Sequence, residues 1–186
     1  MFAIKRLFMK RLIYVLFAFA SIGAVKAQKL DKKNIDPFTN ESVTSTKYET
    51  LFSDSKLFLS SSVAFKFSRI NNNVLLSIKV IIDDGKDFEV RTDQPFFLKF
   101  SNGEVIELYP RENIYSSIGK GAVGLRLSGV PGAEIEYDLS RENVNTILKN
   151  DLVSARLNNS YKTVENLEIK RKNSLLFRKA IDLVIR

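Results

Sequence analysis

The chain has 186 residues, with 29 Lys and Arg against 21 Asp and Glu, and it contains no Cys, His or Trp. Lacking His and Cys, it has no means of building Ser-His-Asp or Cys-His nucleophilic arrangements, ordinary zinc or copper sites, or disulfides. Carboxylate pairs, Ser-Lys arrangements and tyrosine chemistry remain as catalytic options.

Residues 1–27 read as a secretory signal peptide. Lys5, Arg6, Lys10 and Arg11 form a basic start, Leu12 to Ala20 is uninterruptedly apolar, and Val25 and Ala27 suit the −3 and −1 cleavage positions. A spanning helix needs about 20 apolar residues, more than Leu12 to Val25 supplies, so no span is expected after cleavage. Met9 serves equally well as a start, because the segment from Met9 is a complete signal by itself. Cleavage removes five of the 29 basic residues and no acidic ones, leaving 24 against 21, a net charge of +3. The basic excess is therefore mostly in the leader, and no nucleic-acid partner is expected. No cysteine is present for a lipid anchor, so the expected location is periplasmic or secreted, and not that of a lipoprotein.

Residues 28–40 are polar and read as an extended N-terminal arm, followed by a single β-rich domain over 41–186. From Glu41 to Phe52 the pattern places Thr44, Thr46, Tyr48, Thr50 and Phe52 on one face of a strand. Val63, Phe65 and Phe67 alternate with Ala64, Lys66 and Ser68; Asn71 to Asn73 make a turn; Leu76, Ile78, Val80 and Ile82 then point inward. Asp83 to Lys86 close that hairpin at its far end. A second hairpin joins Phe96–Phe100 to Glu104–Tyr109 through an Asn102-Gly103 turn. Ala133 to Leu139 alternates Ile135, Tyr137 and Leu139 with Glu134, Glu136 and Asp138, the pattern of a half-buried strand. Ser140 caps a short helix near 141–149 with Glu142 in its first turn. Leu152–Leu157 and Tyr161–Lys170 read as a strand pair, and a C-terminal helix is expected near 173–185. The expected fold is α+β, mainly antiparallel and sandwich-like, with about eight strands.

Candidate motifs weaken in context. Gly119, Gly121 and Gly124 spell G-x-G-x-x-G, but Leu125 to Ser128 reads as strand where a dinucleotide site needs a helix, so bends, bulges or a close backbone crossing are expected. Ser53/Lys56 and Ser117/Lys120 match S-x-x-K without the helix that brings the amine to the hydroxyl. Asp83, Asp84 and Asp87 lack the spacing of a calcium loop. Glu104 with Glu107, and Glu134 with Glu136 and Asp138, are hydrolase candidates by residue type only. Lys170 to Lys172 read as a solvated basic run, and Asn40 and Asn158 begin glycosylation sequons by spelling alone. No catalytic, cofactor-binding or metal-binding residue is assigned, and no cofactor is expected.

Asp36, Phe38, Thr39 and Glu41, followed by Thr46, Glu49 and Leu51, resemble a group of small exported, uncharacterised bacterial β-rich proteins with the pattern D-x-F-T-G-E…T-T-S-W-E-x-L. Asn40 stands at the Gly position of that pattern and Tyr48 at the Trp position. The resemblance implies an exported β-rich domain and carries no catalytic residue. The expected function is a non-catalytic envelope or secreted module binding a protein, glycan or surface partner; the alternative is a carboxylate-dependent hydrolase of envelope polysaccharide.

Export predicts that the mature chain begins at Gln28. Intact mass or N-terminal sequencing of the exported protein checks this, and a membrane-retained form that keeps residues 12–25 contradicts it.

Overall fold

The structure, a computed structural model, describes residues 29–56, 59–82, 85–123 and 129–186. The expected leader at 1–27, Asp83, Asp84 and the strand expected at Leu125–Ser128 lie outside the described residues. In chain order the strands are β1 (Leu30–Ile35), β2 (Ser42–Thr46), β3 (Glu49–Lys56), β4 (Leu59–Ile70), β5 (Asn73–Ile82), β6 (Glu89–Val90) and β7 (Phe96–Phe100). They continue with β8 (Val105–Leu108), β9 (Ile114–Tyr115), β10 (Ser117–Ile118), β11 (Pro131–Leu139), β12 (Leu152–Leu157) and β13 (Val164–Asn166). Two helices complete the chain, α1 (Arg141–Lys149) and α2 (Arg171–Ile185).

The architecture is α+β and mainly antiparallel, as the alternation predicts. The principal sheet runs β1-β2-β4-β5-β11-β10, with β3 on the same side of β4 as β2. A second sheet runs β13-β12-β7-β8, and β6 with β9 forms a small ribbon. The count exceeds eight because several strands are two-residue bridges and one expected strand is split.

That split has a local cause. Thr44 lies opposite Arg69 and Phe52 opposite Val63, both on the inner row of β4. Between them the pairing is interrupted at Lys47 and Tyr48, and the register shifts again between Thr50 and Phe52. A one-residue slip reverses side-chain direction, so Tyr48 faces outward and the expected common face for Thr44 to Phe52 does not exist. Thr46 helps bridge the gap: its buried hydroxyl accepts the Phe67 N–H at 3.1 Å.

Of the arm expected at 28–40, the described residues from 29 onward form an edge strand and a turn. β1 pairs along β2 but buries none of its side chains. In the turn, Asp36 Oδ1 accepts the N–H groups of Phe38 at 2.7 Å and Thr39 at 3.1 Å. Asn40 has φ of 57°, a left-handed conformation that Gly or Asn adopts most readily. The β4–β5 hairpin obeys the same chemistry. Ile70 opposes Asn73, which leaves Asn71 and Asn72 as a two-residue turn, and Asn71 has φ of 54°.

The core lies between the two sheets. Phe65, Phe67, Ile78, Ile135 and Tyr137 from the principal sheet face Phe96, Leu98, Phe100 and Leu157 from the second, all fully buried. α2 fills one side, with Phe177 edge-on to Phe65 and Phe67 at 4.9 Å from each. α1 matches its expected span, and Ser140 Oγ accepts the Asn143 N–H at 3.1 Å. The expected strand at Tyr161–Lys170 shortens to Val164–Asn166. Among the described residues no helix is long and apolar enough to cross a membrane.

Tyr137 is fully buried, packs against Phe96 at 5.7 Å, and its hydroxyl has no hydrogen-bond partner among the described residues. An unpaired buried hydroxyl costs about 1–3 kcal/mol. Tyr137→Phe is therefore expected to leave stability unchanged or raise it by about 1 kcal/mol, read from urea unfolding midpoints.

Candidate functional site

The outer face of the principal sheet carries a polar row that the alternation of β4, β5 and β11 creates. Lys79 lies opposite Glu134, and Ser77 lies between Lys66 and Glu136 in register. Open to water, such a row is an ordinary solvated face. Here Tyr48, turned outward by the slip between β2 and β3, lies across it. Its hydroxyl donates to Glu134 Oε1 at 2.5 Å, although the two residues are 86 positions apart. The ammonium groups of Lys66 and Lys79 sit 4.9 and 4.6 Å from the Tyr48 ring centroid, close enough for cation–π attraction. The same ammonium groups lie 4.0 and 3.7 Å from the two oxygens of Glu134. Ser77 is buried within this cluster.

Burial first, and then the bond to Glu134, push the Tyr48 phenol well above its ordinary range. Tyr48 thus stays protonated at neutral pH and acts as a hydrogen-bond donor, not as a nucleophile.

A backbone segment crosses beside the cluster. Lys79 Nζ donates to the Ala122 carbonyl at 3.3 Å. A Cβ on Gly121 would stand 2.3 Å from the Val80 carbonyl oxygen, and one on Gly132 would stand 2.6 Å from Gly121 Cα. The glycines of the G-x-G-x-x-G match thus include the close crossing expected from the sequence; Gly124 is outside the described residues.

Next to the cluster lies an open groove of about 490 Å³ lined by Arg111, Glu112, Ile114, Glu134 and Glu136. Arg111 is fixed from both ends. Its N–H donates to the Glu136 carbonyl at 3.1 Å, and its guanidinium stands 3.4 Å from the carboxylates of Glu136 and of Asp138. The outward trio Glu134, Glu136 and Asp138 is where its alternation places it, but each member is bound into ion pairs.

Other candidates stay apart. Glu104 accepts from Thr146 Oγ1 at 2.9 Å, whereas Glu107 accepts from Tyr109 at 3.0 Å, so the two serve different neighbours. Ser53 and Lys56 lie in β3, and Ser117 and Lys120 span a strand and a turn; neither pair has a helix beneath it. Asp87 accepts weakly from Ser116 Oγ at 3.4 Å. No group of three or more potential ligands able to hold a metal occurs among the described residues. Asn40 sits in the β1–β2 turn, and Asn159 Oδ1 accepts the N–H groups of Tyr161 and Lys162. Lys170 precedes α2 and Lys172 is exposed in its first turn.

Sequence reading did not identify Tyr48, Lys66, Lys79 or Arg111 as site residues. The two lysines read as the outward half of a strand pattern, and Tyr48 emerges only from the register slip. Comparison with protein-family models, with curated proteins and with solved structures finds no match for this chain.

The raised Tyr48 phenol has a defined linkage sign. The unfolded phenol ionises near pH 10 while the folded one holds its proton. Its stabilising contribution is therefore complete below pH 10 and is lost as pH rises further. Tyr48→Phe is expected to flatten the alkaline decline of unfolding free energy by at most about 1.4 kcal/mol per pH unit, measured by urea titration between pH 9 and about 11.5. An unchanged slope contradicts the assignment.

Proposed function

We propose that this chain is an exported, non-catalytic module that binds a glycan or protein partner through the outer face of its principal sheet. The leader-like N-terminus supports export to the periplasm or beyond. The observation that carries the binding reading is the engagement of Glu134 and Glu136, two of the three carboxylates that line the groove. Glu134 takes the Tyr48 hydroxyl and faces two ammonium groups, and Glu136 shares Arg111 with Asp138. A general acid or base needs an oxygen free to exchange a proton with substrate. Carboxylates and a guanidinium held in fixed positions instead present a patterned set of donors and acceptors, which suits recognition of hydroxyls or peptide groups.

A second reading retains a hydrolase, because Glu134 and Glu136 lie two positions apart on one strand and line one groove. Carboxyl separations of about 5–10 Å serve glycoside hydrolysis.

Two measurements separate these readings. Sedimentation of the exported protein with cell-wall sacculi and glycan-array binding should both report retention, weakened about tenfold or more by Arg111→Ala, which removes charge-assisted contacts. Release of soluble sugar from sacculi that disappears in both Glu134→Gln and Glu136→Gln sinks the binding-module reading.

A further inference from the structure

A second groove opens at the end of the core, away from the outer face, and is built from a different principle. Arg69, Val74 and Leu139 form one cross-strand row on the inner face of β4, β5 and β11. It is the last row before the Asn71–Asn72 turn at one end and the Ser140 cap at the other. Neither helix closes over it. α1 borders the row with Val144 and Leu148, and α2 ends beside it at Ile185, which leaves a trough of about 420 Å³. Val74, Val144, Leu148 and Ile185 pack against the core but stay only partly buried. The trough is thus a stretch of apolar core left open, within the size range of small-ligand sites.

Its polar lining is one-sided. Arg69 uses one of its five N–H donors on the Ile185 carbonyl, at 2.8 Å from Nη1. The Arg141 side chain, at the start of α1, makes no hydrogen bond or ion pair with any described residue. Asn72 and Asn145 supply two carboxamides, and no acidic side chain lines the trough. On the outer face the basic groups meet carboxylates; here two guanidinium groups flank an apolar floor with none.

We propose that this trough binds the C-terminal end of an apolar peptide, with the free α-carboxylate held by Arg69 and Arg141. A guanidinium fork matches a carboxylate in shape and charge. A carboxamide both donates and accepts, as a peptide group does, so Asn72 and Asn145 serve the last main-chain groups while apolar side chains lie on Val74, Val144 and Leu148. An acyl chain would give the two carboxamides nothing to bond. The site is separate from the outer-face groove and does not depend on the function assigned there.

The test is fluorescence anisotropy with the purified protein and a labelled Gly-Ser-Val-Leu peptide ending in a free carboxylate. Its C-terminal amide and dodecanoate serve as the comparison ligands. Saturable binding of the free acid is expected, weakened about tenfold or more in the amide, because a charge-assisted contact is lost. Arg141→Gln should weaken the free acid to a similar degree with an unchanged melting temperature, since that side chain bonds to none of the described residues. Arg69→Gln should also weaken binding, but the loss of its bond to Ile185 makes it the less clean variant. Equal affinity for acid and amide overturns the proposal. So do full affinity in Arg141→Gln, tighter binding of dodecanoate than of the peptide, or no detectable binding of the free acid.

Discussion

The contact between Phe177 and the pair Phe65 and Phe67 makes one core of two layers. The three rings stand 4.9, 4.9 and 5.9 Å apart, each pair edge-on, and all three are buried. With no cysteine in the chain, no disulfide restrains the unfolded state. Stability therefore rests on apolar burial and packing, and truncating one such ring typically costs about 3–5 kcal/mol. That is a large share of the total stability of about 5–15 kcal/mol usual for a domain. The position of α2 follows from this triangle, and so does the trough at its end, because Ile185 stops short of covering the row of Arg69, Val74 and Leu139.

The outer face depends on the same sheet through its register. An uninterrupted strand from Ser42 to Lys56 would keep Tyr48 on the face of Thr44 and Thr46, away from Glu134. The slip at Lys47 and Tyr48 moves the aromatic ring to the other side, where it covers Ser77 and meets Lys66, Lys79 and Glu134. Exposed ion pairs contribute little, typically below 1 kcal/mol each. What fixes this cluster is the partly buried ring that two ammonium groups and one carboxylate share. The neighbouring crossing of Gly121 over Val80 and Gly132 holds the edge of the same face, and it admits no side chain.

The elements whose period was clean were readable in advance. Residues 96–100, 152–157 and 141–149 fall where alternation or capping puts them, and the Asn-rich turn at 71–72 takes the left-handed conformation its residues favour. The run from Thr44 to Phe52 was not, because a register slip leaves no mark in a sequence whose alternating pattern continues through it. The site was less legible than the fold for a related reason. Tyr48 and Glu134 are brought together by strand order, with β4 and β5 between them, and no local spacing encodes that. Gly121, by contrast, was legible, since a bend, a bulge or a close crossing was expected there and a crossing is found.

The ionisation pattern follows from composition and burial together. Without histidine, no side chain has an ordinary titration point between pH 5 and 8. The shifts in the fold move groups further from that interval. Hydrogen bonds from the Phe38 and Thr39 N–H groups hold Asp36 below the usual carboxylate range, and Arg91 does the same for Asp93. Burial pushes the phenols of Tyr48 and Tyr137 upward. A lowered acid adds stability that is present above about pH 4 and lost as pH falls; a raised phenol adds stability present below about pH 10 and lost as pH rises. Both losses therefore lie outside the neutral range, and the contribution of these groups to stability is flat between them.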